Sequence, residues 1–189
     1  MKKRCEWCLG SELYLKYHDK EWGVPVHDER MHFEFLILEG AQAGLSWITI
    51  LKRRENYKKA YDNFEPEIVA TYDEEKIEEL MNDEGIIRNR RKIESSIKNA
   101  KAFLEVQKEF GSFDAYIWSF TNHETICVGY DEMKDMPAKT DLSEKVSKDL
   151  KKRGFSFVGP TIIYAHLQAI GIVNDHIKSC FRYKELKGK

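Results

Sequence analysis

The amino-acid sequence predicts an all-α protein. Apolar residues recur at spacings of three and four along several segments, and no stretch alternates apolar with polar residues as a half-buried strand would. Residues that cap helices, such as Asp73, precede several of these segments, and glycines that end helices follow others. With 189 residues, 42% of them hydrophobic, the chain is long enough for one domain with its own core. We therefore expect one helical domain over residues 1–189, with no separable linker.

The N-terminal half contains three helical segments. Residues 29–43 form an apolar segment that Gly44 ends, because glycine readily adopts the left-handed conformation that follows a helix. Ser46 is placed to cap the next helix, whose buried face is predicted from Ile50, Tyr57, Tyr61 and Phe64. Asp73 is expected to cap a third helix with the sequence EEKIEELM.

The C-terminal half contains three more. A longer amphipathic helix begins near Arg90, with its apolar stripe formed by Ile93, Ile97, Ala100 and Leu104. Residues 141–144, DLSE, have the spacing of a capping box. Pro160 suits the first turn of another helix, which ends at Gly171. Residues 121–141 are predicted to form a long loop.

Charge and composition exclude few classes of function. The chain has 31 basic and 32 acidic residues, so its net charge of −1 does not indicate a polyanionic partner. Its apolar runs are shorter than the roughly 18 residues that span a bilayer, and its first residues do not resemble a signal peptide. We expect a cytoplasmic protein with no membrane partner. In that compartment its four cysteines are expected to be thiols or metal ligands.

Two segments suggest contact with phosphates. KKRGFSFVGPTI, residues 151–162, combines a basic helix end, a tight turn and a new helix N-terminus, as in a helix-hairpin-helix. The backbone amides expected to point at an anion there are those of Val158, Gly159 and Thr161. GIIRNRRKI, residues 85–93, adds a basic patch formed by Arg88, Arg90, Arg91 and Lys92. Both segments are also compatible with ordinary helix connections that carry solvated charges.

The two ends of the chain carry possible metal ligands. In DHIKSC, His176 and Cys180 are four residues apart, which would place them on one face of a helix as two ligands of one ion. Cys5, Cys8 and His18 lie near the N-terminus, and spacing alone favours Cys5 with Cys8 as the other pair. Free buried thiols and a surface histidine remain the alternative.

Glu39 is a carboxylate inside the apolar stretch ILEGAQAGLSWITIL, residues 37–51. Removing such a charge from water costs several kcal/mol unless a partner or a change of protonation offsets it. Either Glu39 has a structural partner, or it faces a cavity in which a negative charge is useful.

Five motifs together resemble the 3-methyladenine DNA glycosylase I family: YHDKEWGVPVHDE, LEGAQAGLSWITILKRRENY, GIIRNRRKI, KKRGFSFVGPTI and VNDH. The resemblance extends from about Arg4 to Cys180, in the same order. It implies a helix-hairpin-helix glycosylase fold of two intertwined helical lobes, with a base pocket between them. It also implies an enzyme that extrudes an alkylated base from double-stranded DNA and hydrolyses its N-glycosidic bond, acting as a monomer.

The resemblance also assigns roles to individual residues. It implies one structural Zn²⁺ held by Cys5, His18, His176 and Cys180, which replaces the spacing-based choice of Cys8. A closed set of four ligands leaves no position for a catalytic water. This set disfavours the alternative of a zinc hydrolase, which needs an open position on the metal.

The implied base pocket contains Glu39, Tyr17 and Trp47, with Trp7 as a stacking partner. Glu39 would favour a base made cationic by alkylation, and would be the catalytic group of a monofunctional enzyme that uses water. Gly44 and Leu45 would form a turn that enters the duplex where the nucleotide leaves it. The rival hypothesis is a non-catalytic, zinc-stapled DNA-binding module, which would not need a carboxylate ringed by aromatic side chains.

Overall fold

The computed structural model describes residues 2–187. Over this range the chain forms eleven α-helices and no β-strand, apart from one isolated bridge between Ile126 and Val173. The all-α prediction is confirmed. The helices are α1 (Glu12–Lys20), α2 (Glu29–Gln42), α3 (Trp47–Leu51), α4 (Arg54–Ala60), α5 (Pro66–Val69), α6 (Glu74–Asn82), α7 (Arg90–Phe110), α8 (Phe113–Ser119), α9 (Asp141–Lys152), α10 (Pro160–Ala169) and α11 (Phe181–Leu186). None of them is long and apolar enough to cross a membrane.

Helix boundaries follow the predicted caps in most places. Asp73 accepts a hydrogen bond of 3.0 Å from the backbone amide of Lys76 and begins α6. Gly44, just beyond α2, has a φ of +79°. Ser46 differs from the prediction, because its hydroxyl bonds to the hydroxyl of Thr49 and caps no backbone amide. The helix predicted after it is divided into α3 and α4.

The capping box predicted at residues 141–144 lies one residue earlier. Thr140 is the cap: its hydroxyl accepts from the amide of Ser143 at 3.2 Å, and its own amide donates to the Ser143 hydroxyl at 2.9 Å. Thr140 has an extended backbone, whereas Asp141 is already helical, so Asp141 cannot be the cap.

Helix α2 is the centre of the fold. All its residues from His32 to Ala41 are buried, between α3, α7, α8 and α10. A helix enclosed on every side has no solvent-facing stripe on which to place charges. Its carboxylate at Glu34 is neutralised by Arg54, whose Nε donates to Glu34 at 2.6 Å. Its second buried carboxylate, Glu39, has no such partner.

The turn between α9 and α10 is braced by α7. The side chain of Asn99 in α7 accepts a hydrogen bond of 2.7 Å from the amide of Ser156 and donates one of 3.0 Å to the carbonyl of the same residue. The hydroxyl of Ser147 donates to the carbonyl of Val158 at 2.6 Å. Within this turn Phe157 has a φ of +55°, a conformation that residues with a side chain rarely adopt. The bracing contacts therefore determine the shape of the turn.

The first residue of α2 also organises the start of α8. The Glu29 carboxylate accepts hydrogen bonds of 2.8 Å from the amides of both Phe113 and Asp114, and one of 2.7 Å from Gln107. Amides in the first turn of a helix have no partner within that helix, so an acceptor from elsewhere in the fold stabilises them.

We predict that Glu29→Ala lowers the free energy of unfolding by about 2 kcal/mol, because it leaves two half-buried amides without an acceptor. Urea denaturation would measure the loss. The matched control is Glu105→Ala on α7, which removes an exposed carboxylate paired only with Lys108. The control should change stability by less than about 0.5 kcal/mol. Equal losses in the two variants would contradict the assigned role of Glu29.

Candidate functional site

A cavity of about 320 Å³ lies between α1, α2, α3 and α10. Its walls are mainly aromatic, with one carboxylate and two methionines from the loop before α9. The lining residues are Trp7, Tyr14, Tyr17, Trp22, Glu39, Gln42, Trp47, Met133, Met136, Ala165 and Gln168. All four residues expected in the base pocket, Trp7, Tyr17, Glu39 and Trp47, are therefore found in one cavity.

Glu39 is the only carboxylate among the described residues that line this cavity. Its side chain is 3% exposed, and its Oε2 atom has no hydrogen-bond partner. Burial away from water raises the pKa of Glu39 to about 8. An unpaired carboxyl group of this kind is unfavourable for folding, so its presence points to a ligand.

The aromatic side chains form a connected wall around the cavity. Trp7 packs edge-on against Tyr14 and Trp22, with ring centroids 5.3 and 5.1 Å apart. Tyr17 lies 5.6 Å from Trp47. The hydroxyl of Tyr14 accepts from the amide of Ile48 at 2.9 Å and so joins α1 to the start of α3.

Several lining residues were not identified from the sequence. Tyr14 precedes Tyr17 by one helical turn, and this spacing could have revealed it. Met133 begins a short 3₁₀ helix in the predicted long loop and Met136 follows it, and no local pattern connects them with α2. Trp22, Gln42 and Gln168 are likewise brought to the cavity only by the packing of the helices.

A groove of about 180 Å³ continues from this cavity to the surface. It shares Glu39, Gln42 and Ala165 with the cavity, and its other walls are the α2–α3 turn and the first turn of α10, formed by Ala43, Gly44, Leu45, Thr161 and Ile162. Leu45 is 40% exposed. The groove thus places Gly44 and Leu45 beside Thr161, which belongs to the predicted phosphate-contact segment of residues 151–162.

The predicted basic patch divides into two kinds of residue. Arg90 is engaged by Glu74, Glu78 and Glu94. Lys92 donates to backbone carbonyls of the α2–α3 turn. Arg88 and Arg91 are exposed, and Arg88 is 3.9 Å from Glu84.

Four buried side chains from the two ends of the chain converge at a second site. One ligand atom each from Cys5, His18, His176 and Cys180 lies within 4.8 Å of the others, so that the group could hold a metal ion. His176 Nδ1 is 3.2 Å from His18 Nε2, and the sulfur of Cys180 is 3.5 and 3.6 Å from these two nitrogens. Cys8 is outside the group, and its thiol donates to the carbonyl of Cys5.

The two histidines are oriented by partners of their other ring nitrogens. His18 Nδ1 is 2.8 Å from Asp19, and His176 Nε2 is 2.9 Å from the carbonyl of Trp22. Arg4 donates to the Asp19 carboxylate and lowers its pKa to about 2. Carboxylate and carbonyl partners of this kind are typical of histidines that bind metals through the opposite nitrogen.

The prediction that DHIKSC is helical is wrong. Residues 174–177 have no regular secondary structure, residues 178–180 form a turn, and α11 begins at Phe181. The backbone amide of Lys178 bonds outside this segment, to the carbonyl of Tyr130 at 2.9 Å. The turn still brings His176 and Cys180 together. Asp175, beside it, accepts from Tyr164 and from Gln168.

The Cys/His group and the cavity share their walls. Tyr17 and His18 are neighbours on α1, one in each site. The rings of Trp7 and His18 are 5.5 Å apart, and those of Trp22 and His176 are 4.6 Å apart. The convergence of the chain ends therefore supports the aromatic side of the cavity.

Together these features define a helical protein with a cavity suited to a flat, electron-poor ring. Aromatic faces attract such a ring, and more strongly when it is cationic. A buried carboxyl group can accept a hydrogen bond from the polar edge of the ring. The adjoining groove extends from the cavity to an exposed turn and a helix N-terminus, where anionic groups are stabilised.

Comparison with known proteins agrees with this class. Residues 7–183 match the methyladenine glycosylase family. The chain is 48% identical to DNA-3-methyladenine glycosylase 1 of Escherichia coli over 181 residues, which are 96% of this chain and 97% of that protein. The chain belongs to the methyladenine glycosylase family.

Solved structures of the same enzyme type have the same fold. A crystal structure of 3-methyladenine DNA glycosylase I is 47% identical, with a TM-score of 0.92 over 95% of this chain and 98% of the other. A second, from Staphylococcus aureus, concerns the recognition of 3-methyladenine by that enzyme. It is 36% identical, with a TM-score of 0.92 over 98% of this chain and 97% of the other.

We predict that Glu39→Gln stabilises the protein more at pH 8 than at pH 5. A glutamate in the unfolded chain ionises near the ordinary pKa of 4.5, whereas folded Glu39 keeps its proton to about pH 8. Between these values the folded state binds more protons than the unfolded state, so wild-type stability falls as the pH rises. The glutamine variant lacks this dependence and should gain up to a few kcal/mol relative to wild type by pH 8. Melting curves at both pH values would measure it, and a difference independent of pH would contradict the assigned burial.

Proposed function

We propose that this protein is a DNA glycosylase that hydrolyses the N-glycosidic bond of 3-methyladenine in alkylated double-stranded DNA. Its relatives are named for this activity, which is that of a hydrolase of N-glycosyl bonds in DNA repair. The observation that carries the proposal is the unpartnered carboxyl group of Glu39 within an aromatic cavity.

Glu39 supplies selectivity for a charged base. An adenine alkylated at N3 carries a positive charge in DNA, whereas ordinary adenine is neutral. The ionised carboxylate of Glu39 stabilises the cation and accepts a hydrogen bond from its exposed edge. Stacking on Trp7, Tyr17 or Trp47 adds about 0.5 to 2 kcal/mol for each well-placed ring when the base is cationic. Neutral bases gain less from the carboxylate and from stacking, so they bind more weakly.

The groove beside the cavity suits an extruded nucleotide. The base must leave the duplex to reach Glu39, and the α2–α3 turn at Gly44 and Leu45 enters the space that it leaves. The proposed helix-hairpin-helix is formed by α9, α10 and the turn between them. Backbone amides of Val158, Gly159 and Thr161 would hold phosphates of the same strand there.

The chemistry requires little beyond binding and extrusion. A cationic adenine is already a good leaving group, so holding it in the cavity contributes to breaking the glycosidic bond. The base leaves with the electron pair of the glycosidic bond as neutral 3-methyladenine, and water adds to C1′ of the sugar and releases one proton to the solvent. Among the described residues that line the cavity there is no lysine to form a Schiff base, which agrees with a monofunctional enzyme.

We also propose that Cys5, His18, His176 and Cys180 bind one structural Zn²⁺. In a tetrahedron with bonds of about 2.0 Å to nitrogen and about 2.3 Å to sulfur, two nitrogens are about 3.3 Å apart and nitrogen and sulfur about 3.5 Å. The corresponding distances here are 3.2 Å between the nitrogens and 3.5 to 3.7 Å between nitrogen and sulfur. The four donors would close the coordination shell, and the ion would stabilise the fold without entering the reaction.

The same proposal includes one domain over residues 1–189, a monomeric enzyme and a cytoplasmic location. A rival DNA-binding module without activity would need the groove and the basic side chains, but it has no use for Glu39. The carboxyl group of Glu39 therefore favours the enzyme.

Release of 3-methyladenine from methylated duplex DNA tests the function directly. Purified protein should liberate this base, detected by chromatography, and leave unmethylated duplex unchanged. A protein that binds duplex DNA but releases no base would be the non-catalytic module instead.

We predict that Glu39→Gln lowers kcat/KM for release of 3-methyladenine by about 100-fold while binding of undamaged duplex is unchanged. Because kcat/KM reports groups of the free enzyme, the wild-type value should rise as the pH approaches about 8, and the variant should lack this rise. The control is Glu12→Gln, an exposed carboxylate of α1. Unchanged excision by Glu39→Gln would refute the electrostatic role.

We predict that His18→Ala lowers both zinc content and melting temperature, because it opens the tetrahedron and weakens the connection between the chain ends. Cys8→Ser is the matched control and should change neither. Any activity lost in His18→Ala should follow the folded fraction. Metal analysis and melting curves decide between the pairings, and loss of zinc from Cys8→Ser would favour the pair Cys5 and Cys8.

A further inference from the structure

The amine of Lys92 is bound to the backbone of a different helix. Lys92 lies in the first turn of α7, where its own amide is capped by Asn89. Its Nζ donates to the carbonyl of Ala41 at 2.8 Å and to that of Ala43 at 2.6 Å. The side chain is half-buried, and burial lowers its pKa.

These carbonyls are at the C-terminal end of α2, where carbonyl oxygens need hydrogen-bond donors from outside the helix. The last carbonyls of a helix have no partner within it, and a cation there is favoured by the helix dipole. Ala43 is the residue after α2, and its backbone has already left the helical conformation. Lys92 therefore satisfies carbonyls on both sides of the point at which the chain turns away.

Few other described hydrogen bonds restrain the turn that follows. Inside it, the amide of Leu45 bonds to the carbonyl of Gln42. A side chain built at Gly44 would meet no atom within 4 Å, and Leu45 is 40% exposed. Among the described hydrogen bonds, those of Lys92 are the ones that join this turn to a helix outside α2 and α3.

We propose that Lys92 is a positioning residue that holds the α2–α3 turn in the shape that enters the duplex, and that it is not a phosphate ligand. The proposal rests on the function given above, since it concerns how the damaged nucleotide is extruded. Ala41 is two residues beyond Glu39 on the same helix, so Lys92 connects the turn and the buried carboxyl group through one short segment. The neighbouring Arg91 is exposed and touches no part of the turn in the described contacts.

The test separates insertion of the turn from attraction to phosphate. A duplex with a stable abasic analogue and 2-aminopurine as the adjacent base reports insertion by a fluorescence change at saturating protein. Leu45→Ala gives the signal expected without an inserted side chain. Lys92→Met should lose most of the wild-type change, and single-turnover excision from methylated duplex should fall about tenfold. Its affinity for free 3-methyladenine should stay within about twofold, because the cavity is retained.

Arg91→Met is the matched control, with the same loss of charge at the adjacent position. It should weaken binding to every duplex and reduce the salt dependence of binding, but at saturation it should keep the fluorescence change. If Lys92→Met behaves like Arg91→Met, Lys92 is a phosphate contact and the proposal is wrong. Should Lys92→Met fail to fold, Lys92→Gln, which keeps a donor, is measured in the same way and should lose a smaller part of the change. Wild-type release of 3-methyladenine tests the function itself separately.

Discussion

Burial of a carboxyl group without a partner is the constraint on which the site depends. Helix α2 is enclosed by other helices, and it carries two buried glutamates. Glu34 is neutralised by Arg54, but Glu39 faces an aromatic cavity and keeps its proton to about pH 8. Burial of the Glu39 carboxyl group lowers the stability of the fold, and a cationic ligand would offset this loss. Selectivity for an alkylated base and a loss of stability therefore have the same physical origin.

Two supports keep this arrangement in place. On one side the converging chain ends, through His18 and His176, pack against the tryptophans that line the cavity. On the other side α7 braces two turns, of which the α2–α3 turn lines the groove. Lys92 bonds to Ala43 in the α2–α3 turn, and Asn99 bonds to the α9–α10 turn that precedes the groove-lining start of α10. Helix α7, which begins within the predicted basic patch, therefore has a large structural role.

Local patterns were sufficient for the helices and for part of the site. The cap at Asp73, the proline in the first turn of α10 and the glycine after α2 act within a few residues of themselves, so the sequence predicts them well. Where two capping residues compete, as Thr140 and Asp141 do, the pattern misplaces the boundary by one residue. The pocket residues Trp7, Tyr17, Glu39 and Trp47 came from the resemblance of longer motifs to a known family, and the structure places all four in one cavity.

By itself the sequence determined the helical class, the family and the oddity of a charge at Glu39, because these depend on residue type and spacing. Only the tertiary structure decided which partner each charged side chain has. Arg90 and Lys92 look alike in the sequence, yet one is engaged by carboxylates and the other by carbonyls. It also replaced the helix expected at His176 with a non-helical segment, and brought Met133 to the cavity. These outcomes depend on partners far apart in the chain, and only packing determines which partner each group meets.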